Sequence, residues 1–223
     1  RGPAEVMRFF SRRNDVRLEA GVVVKRSQDP LALEREAAAL VELRQAGLAV
    51  PKLLGKNEHA LFLEYIPGPV YADLVEFLDW PQALELARWL AEHHRLTGQL
   101  KGDLNLHNFL WTGKRCVGLD FEDPPLPGEL AVDFGRAAAF AATYYPALSE
   151  EKARCVQLLL GAFFHLGAEA EQIRAGYLQE VAAMHRRRRR PVGLGEAAAF
   201  FDSCLERVRL EQRGGAFDAR SSP

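Results

Sequence analysis

The Pro67-Gly68-Pro69 break separates two kinds of apolar patterning, and that separation limits the fold more than anything else in the 223 residues. Proline fixes φ and lacks an amide donor, so a glycine between two prolines ends any strand or helix that reaches it. Before the break lie short apolar runs divided by polar turns. Glu5–Phe10 and Val16–Leu18 flank Ser11-Arg12-Arg13-Asn14-Asp15, and Ala20-Gly21 leads into Val22-Val23-Val24-Lys25. Val50–Lys56 and Ala60–Ile66 flank Asn57-Glu58-His59. β-branched residues bounded by Asn, Asp and Gly predict strands here. One segment, Leu31–Ala46, has helical spacing, with Pro30 near its start and Gly47 just past its end. Beyond the break the spacing predicts helices near Tyr71–Leu78, Pro81–Leu96, Leu130–Tyr145, Ser149–Leu166, Glu169–Arg188 and Leu194–Arg213. Leu100–Pro127 reads as short strands and loops, and the chain from Arg213-Gly214-Gly215 to Pro223 as a loose tail. The expectation is an α+β chain, strand-rich over 1–66 and helical over 67–223.

Composition narrows the class. Hydrophobic residues at 48% and charged residues at 26% belong to a globular chain rather than a disordered one. The net charge of −1 gives no overall attraction to nucleic acid. Cys116, Cys155 and Cys204 are odd in number and far apart, which suits neither a disulfide framework nor a metal site and points to a reducing cytoplasm. No apolar run is long enough to span a bilayer. His93-His94 and His107 lack partners at metal-ligand spacing and read as structural or solvated.

The chemistry concentrates in Lys101-Gly102-Asp103-Leu104-Asn105-Leu106-His107-Asn108-Phe109-Leu110, followed by Leu119-Asp120-Phe121-Glu122. Phosphoryl transfer needs an acceptor hydroxyl held in line, a carboxylate for its proton, and metal ions to neutralise the phosphates. An Asp with an Asn five residues on supplies a base and a metal ligand from one loop. A second Asp at the next strand end supplies the opposing ligand. Hard oxygen donors of this kind suit Mg²⁺.

This arrangement resembles the catalytic loop and metal-binding segment of protein-kinase-like enzymes, and its Gly-Asp-Leu-Asn form looks most like aminoglycoside phosphotransferases. The resemblance implies a two-lobed α+β fold with a small antiparallel sheet and one helix in the N-lobe and a mainly helical C-lobe. It implies ATP and Mg²⁺ as cofactors, Asp103 as catalytic base, and Asn108 and Asp120 as metal ligands. It further implies that Lys25, at the end of an apolar strand, reaches the phosphates and pairs with Glu36 in the following helix. Glu34 is the alternative partner, on another side of that helix. Leu61–Gly68 resembles the hinge between kinase lobes, where backbone atoms near Glu64 and Ile66 would bind adenine. Val132-Asp133-Phe134-Gly135 contains Asp-Phe-Gly but lies too far along the chain. Asp133 is read as a structural residue starting a helix.

Several features depart from the pattern. There is no Gly-x-Gly-x-x-Gly loop. Ser11–Asp15, with Arg12 or Arg13, would cover the phosphates instead, or Gly2-Pro3-Ala4-Glu5 is what remains of the phosphate loop. Lys101 stands where these families carry His, and reads as a solvated lysine, with contact to a transferred phosphate as the other option. Glu122 replaces the Gly of Asp-Phe-Gly, which argues against a switchable activation loop. Only a short stretch separates the hinge from Asp103, so the cleft should be open to a bulky hydroxyl acceptor such as a sugar or glycolipid. In size the chain is similar to lipopolysaccharide-core sugar kinases. Arg186, Arg187, Arg188, Arg189 and Arg190 form a run that is either a solvated helix end or a contact for an anionic surface, glycolipid or RNA. The resulting expectation is a cytoplasmic kinase, either free or peripheral to a membrane. The alternatives are a catalytically silent kinase-like binding module and a small atypical protein kinase or ATPase within a larger complex.

Overall fold

The computed structural model describes residues 6–214; the Gly2–Glu5 alternative and the chain beyond Gly214 lie outside them. Two compact units emerge. One comprises residues up to Tyr71 together with Trp89–Gly128, the other Ala72–Arg88 and the chain from Glu129 onward.

The first unit is built on a five-stranded sheet of β1 (Met7–Arg8), β2 (Asp15–Glu19), β3 (Val22–Arg26), β4 (Leu53–Lys56) and β5 (Ala60–Glu64), in the order β1-β2-β3-β5-β4. The four pairings are antiparallel, and Lys25 sits opposite Val16 on one side and Leu61 on the other. The helix predicted between the strands is α1, Pro30–Gln45. The Asp29 carboxylate caps it by accepting from the N–H groups of Leu31 and Ala32, and Pro30 opens its first turn. Its buried stripe is Ala32, Leu33, Glu36, Ala37, Leu40 and Leu43. Glu36 thus occupies a position that helical periodicity assigns to the core.

Two strands are shorter than the sequence reading expects. β1 shrinks to Met7–Arg8, and β4 begins at Leu53 rather than Val50. Pro51 has no amide to give a ladder, which accounts for the late start of β4.

Beyond β5, the Pro67-Gly68-Pro69 turn lies against β6 (Phe109–Trp111), where the Trp111 N–H donates to the Pro69 carbonyl at 2.9 Å. A Cβ on Gly68 would fall 2.1 Å from the Trp111 carbonyl oxygen, and its φ is +141°. Only glycine lets the turn approach this closely. β6 pairs with β7 (Cys116–Gly118) in an antiparallel hairpin.

The second unit is helical. After the short α2 (Tyr71–Leu74) and α3 (Trp80–Thr97), which run across the division between units, come α4 (Leu130–Thr143), α5 (Glu150–His165), α6 (Ala170–Arg187) and α7 (Leu194–Arg213). α4 and α6 meet through glycines. A Cβ on Gly135 would lie 2.2 Å from the Ile173 carbonyl oxygen, and one on Gly176 would lie 2.6 Å from that of Val132. The Asp133-Phe134-Gly135 sequence is therefore a helical packing element, with Asp133 buried in the first turn of α4. The arginine run begins in the last turn of α6. Arg187 pairs with Glu180 at 2.7 Å and lies over the Phe140 ring, and Arg188 donates to the Thr143 carbonyl. Arg186, Arg189 and Arg190 are exposed.

Candidate active site

The β6–β7 hairpin sets the spacing of the motif residues. Phe109 pairs with Gly118, and the Leu119 N–H donates to the Asn108 carbonyl at 2.8 Å. Asn108 and Asp120 therefore emerge at the same end of one hairpin, although twelve residues apart in sequence. Upstream, the loop is folded by its own side chains. One Asp103 oxygen accepts from the Asn105 N–H at 3.0 Å, and the Asn105 side chain accepts from the His107 N–H at 3.1 Å. Asp and Asn make such turns readily because the side chain substitutes for a backbone acceptor. Asp120 has φ of +61°. A non-glycine residue in the left-handed region is uncommon, and Asp tolerates it better than most, so backbone strain sits at the first carboxylate after β7.

Lys25 is the centre of the charge arrangement. Its ammonium lies 2.5 Å from Glu36, 3.1 Å from Asp120 and 3.1 Å from Glu122. Burial works against the Lys25 charge, but the three carboxylates outweigh it and hold the ammonium above its ordinary pKa. Burial likewise pushes the Glu36 carboxyl up, with Lys25 working the other way. For Asp120 burial is overcome by Lys25 and Lys101, and the carboxyl stays below its usual range. Glu34, the alternative partner, instead reaches Lys56 at 2.7 Å.

Lys101 corrects the sequence reading. It is buried rather than solvated, and its ammonium donates to the Asp120 carbonyl at 2.5 Å and lies 4.7 Å from the centre of the Phe121 ring. A cation in that place holds the Asp120 carbonyl and the Phe121 ring that follows it. His93, stacked on Trp89 with ring centres 5.4 Å apart, completes the wall behind Phe121. Burial, with Lys101 adding to it, lowers the His93 pKa to about 4, so the imidazole is neutral near pH 7.

The turn expected to cover phosphates is already engaged. Arg13 pairs with Asp123 at 2.9 Å and Glu122 at 3.4 Å, and Asn14 donates to Glu122 at 2.7 Å. Arg35 of α1 donates to the Glu122 carbonyl at 2.9 Å. Glu122 and Lys101 are the residues that sequence reasoning undervalued. Nothing beside them in the chain signals this, because the groups that hold them are distant in sequence: Asp120 for Lys101, Asn14 and Arg35 for Glu122.

At the strand end, Glu64 is committed within the sheet. Its N–H donates to the Lys52 carbonyl, and its carboxylate accepts from the Lys52 N–H at 2.9 Å and from Arg44 at 3.3 Å. Ile66 follows, half-buried, outside the strand.

The donor set suits a divalent cation. Glu36, Asp120 and Glu122 offer oxygens that all lie within 4.8 Å of one another, and the Lys25 ammonium bonds to all three. Asp120 also neighbours Asn108 at the hairpin end, where amide and carboxylate oxygens are hard donors. Counting Asp103 and Asp123, five carboxylates face the cations Lys25, Lys101 and Arg13. A polyphosphate that brings a divalent metal therefore meets less repulsion here than one without it.

Residues 6–123 match the family model of the RIO domain. No curated protein matches the chain in sequence. Among solved structures it is similar to the streptomycin–ATP–APH(2'')-IIa ternary complex, with 14% identity over 81% of this chain and 83% of that one and a TM-score of 0.60. It is also similar to the ADP-bound aminoglycoside phosphotransferase APH(2'')-Ib, with 14% identity, 91% and 92% coverage and a TM-score of 0.59. A choline/ethanolamine kinase family protein from Mesorhizobium loti matches at 13% identity, covering 93% of this chain and 87% of that one, with a TM-score of 0.55. At such identities the likeness concerns the fold, which is protein-kinase-like.

Proposed function

Because the chain belongs to the RIO domain family, within the protein-kinase-like superfamily, we propose that it is an ATP- and Mg²⁺-dependent phosphotransferase acting on a hydroxyl acceptor. The observation that carries this reading is the contact of Lys25 with both Glu36 and Asp120, from a strand, a helix and a hairpin end. Lys25 holds the phosphates, and Glu36 fixes the Lys25 ammonium from the buried face of α1. Main-chain atoms near Glu64 and Ile66 receive the adenine. Because the Glu64 amide is committed to the Lys52 carbonyl, that contact falls to the Glu64 carbonyl and to Ile66. Asp120 and Asn108 would hold Mg²⁺, which when bound neutralises the phosphate oxygens and supplies a Lewis acid.

Asp103 accepts the acceptor hydroxyl's proton as its oxygen bonds to the γ-phosphorus and the bond to the β–γ bridging oxygen breaks, releasing ADP, and the Asn105 N–H keeps that carboxylate oriented. Lys101 holds the Asp120 main chain rather than touching substrate. Positioning and charge stabilisation supply most of the catalysis in such a reaction. The acceptor is a sugar, glycolipid or similar hydroxyl-bearing molecule, since little chain is available between Ile66 and Asp103 to enclose a small one. One structural neighbour holds streptomycin together with ATP, which fits a nucleotide and a hydroxyl-rich acceptor on this fold.

Asp103→Asn separates the base from the binding groups. It keeps size and hydrogen bonding and removes the proton acceptor. Slow ATP hydrolysis or autophosphorylation should fall by about 10²- to 10⁴-fold, with the nucleotide Kd near that of the unmodified protein. Full turnover in this variant would demote Asp103 to a loop residue.

A further inference from the structure

Glu122 makes more contacts than an Asp-Phe-Gly glycine could. Its carboxylate accepts from Asn14 at 2.7 Å, lies 3.1 Å from the Lys25 ammonium and 3.4 Å from Arg13, and is nearly buried. Its carbonyl accepts from Arg35. Next to it, Asp123 takes the Arg13 guanidinium at 2.9 Å. The segment that receives these bonds is also held at its other end, where the Phe10 ring stacks on His107 of the Asp103 loop with centres 4.3 Å apart.

That segment, Phe9–Asp15, contains no glycine. Glycine-rich loops hold phosphates because backbone N–H groups can approach closely and adopt left-handed conformations. A loop without glycine must be aimed by its side chains. Here the aiming contacts converge on one carboxylate that also touches Lys25. Resting on the phosphotransferase reading above, we infer that Glu122 is a positioning residue for the nucleotide. Through Asn14 and Arg13 it fastens the Phe10–Asn14 segment beside Lys25 and Asp120, replacing by side-chain bonds the placement that a glycine loop obtains from its backbone.

The test uses the full chain and MgATP, with Kd from titration calorimetry at several Mg²⁺ concentrations. The variants are Glu122→Gly, Glu122→Gln, Asn14→Ala and the double variant Asn14→Ala/Glu122→Gly. Glu122→Gly and Asn14→Ala should each weaken MgATP by about tenfold, the scale of one charge-assisted hydrogen bond. The double variant should be no weaker than Glu122→Gly by more than about twofold, since both changes break the same link. Glu122→Gln should stay within about threefold of the unmodified protein, because its amide oxygen still accepts from Asn14. Additive effects would overturn the inference while leaving the phosphotransferase reading intact. So would a Glu122→Gln variant as weak as Glu122→Gly with a raised Mg²⁺ requirement, which would make Glu122 a metal ligand instead. Absence of any MgATP binding by the unmodified protein would overturn both.

Discussion

Replacing Lys25 by Met should turn the most buried ionic cluster of the first unit into its weakest point. The Lys25, Glu36 and Glu122 side chains are 7%, 2% and 8% exposed, so water screens them little. Without the ammonium, three carboxylates remain whose oxygens lie within 4.8 Å of one another. Two unit charges at that distance repel by about 3.5 kcal/mol at an effective dielectric constant of about 20. Proton uptake relieves part of this, which places the expected loss near the ~3–5 kcal/mol seen when one partner of a buried pair is removed. The pH dependence gives the sign. In the unmodified protein Lys25 and Lys101 hold the Asp120 carboxyl low, so its contribution is present above the ordinary carboxylate pKa and lost as pH falls. In Lys25→Met burial acts on the Glu36 carboxyl without the opposing ammonium and pushes it up further, so that part of the stability is greatest at acid pH and declines as pH rises through the raised value. Urea denaturation followed by tryptophan fluorescence between about pH 3 and 8 reads both the loss and the difference in pH dependence. Mg²⁺ should restore part of the stability, because the folded variant offers it a carboxylate cluster. A loss under about 1 kcal/mol, or a pH dependence like that of the unmodified protein, would contradict this, since neither is compatible with two buried carboxylates and a half-buried one sharing one cation.

His93 should make the protein acid-sensitive. With its pKa lowered to about 4, it refuses a proton that the unfolded chain accepts near pH 6.5, so about 3 kcal/mol of stability present above pH 6.5 disappears by about pH 4. His93→Phe should flatten that part of the stability–pH curve, and an unchanged curve would contradict it. Gly118→Ala should lower the melting temperature. Its Cβ would meet the Trp89 ring at 2.0 Å, and that ring is held by its Nε1–H bond to the Ala49 carbonyl, so overpacking should cost about 1–3 kcal/mol. Gly195→Ala in α7 meets nothing within 4 Å and should instead stabilise by about 0.5–1 kcal/mol. Equal melting shifts for the two alanines would show that the Trp89 contact does not matter.

The pairing of Lys25 with Glu36 was legible because each lies in a periodic element: Lys25 at the end of an apolar strand, Glu36 on the apolar stripe of a helix. The five-strand sheet with its single helix was legible for the same reason. The Asp133-Phe134-Gly135 segment was separable from Asp120 by the helical spacing around it. Lys101 was not legible as a buried residue. Its site is created by Phe121 and the Asp120 carbonyl, nineteen residues on, and nothing local distinguishes such a lysine from a solvated one. Glu122 escaped for a similar reason, since its partners Asn14, Lys25 and Arg35 lie 87 to 108 residues away. Periodicity reports which face of an element is buried, but not which distant charge will meet it there.

The central claim is that Asp120 carries the metal through which nucleotide binds. Calorimetric titration of ATP into the unmodified chain and into Asp120→Ala, each with and without Mg²⁺, tests it most directly. The unmodified protein should bind ATP in a Mg²⁺-dependent way, and Asp120→Ala should lose that Mg²⁺-dependent binding. Binding that is unaffected by Mg²⁺ or by removal of Asp120 would contradict the assigned centre. No binding by the unmodified protein in either condition would make the chain a kinase-like module without nucleotide chemistry.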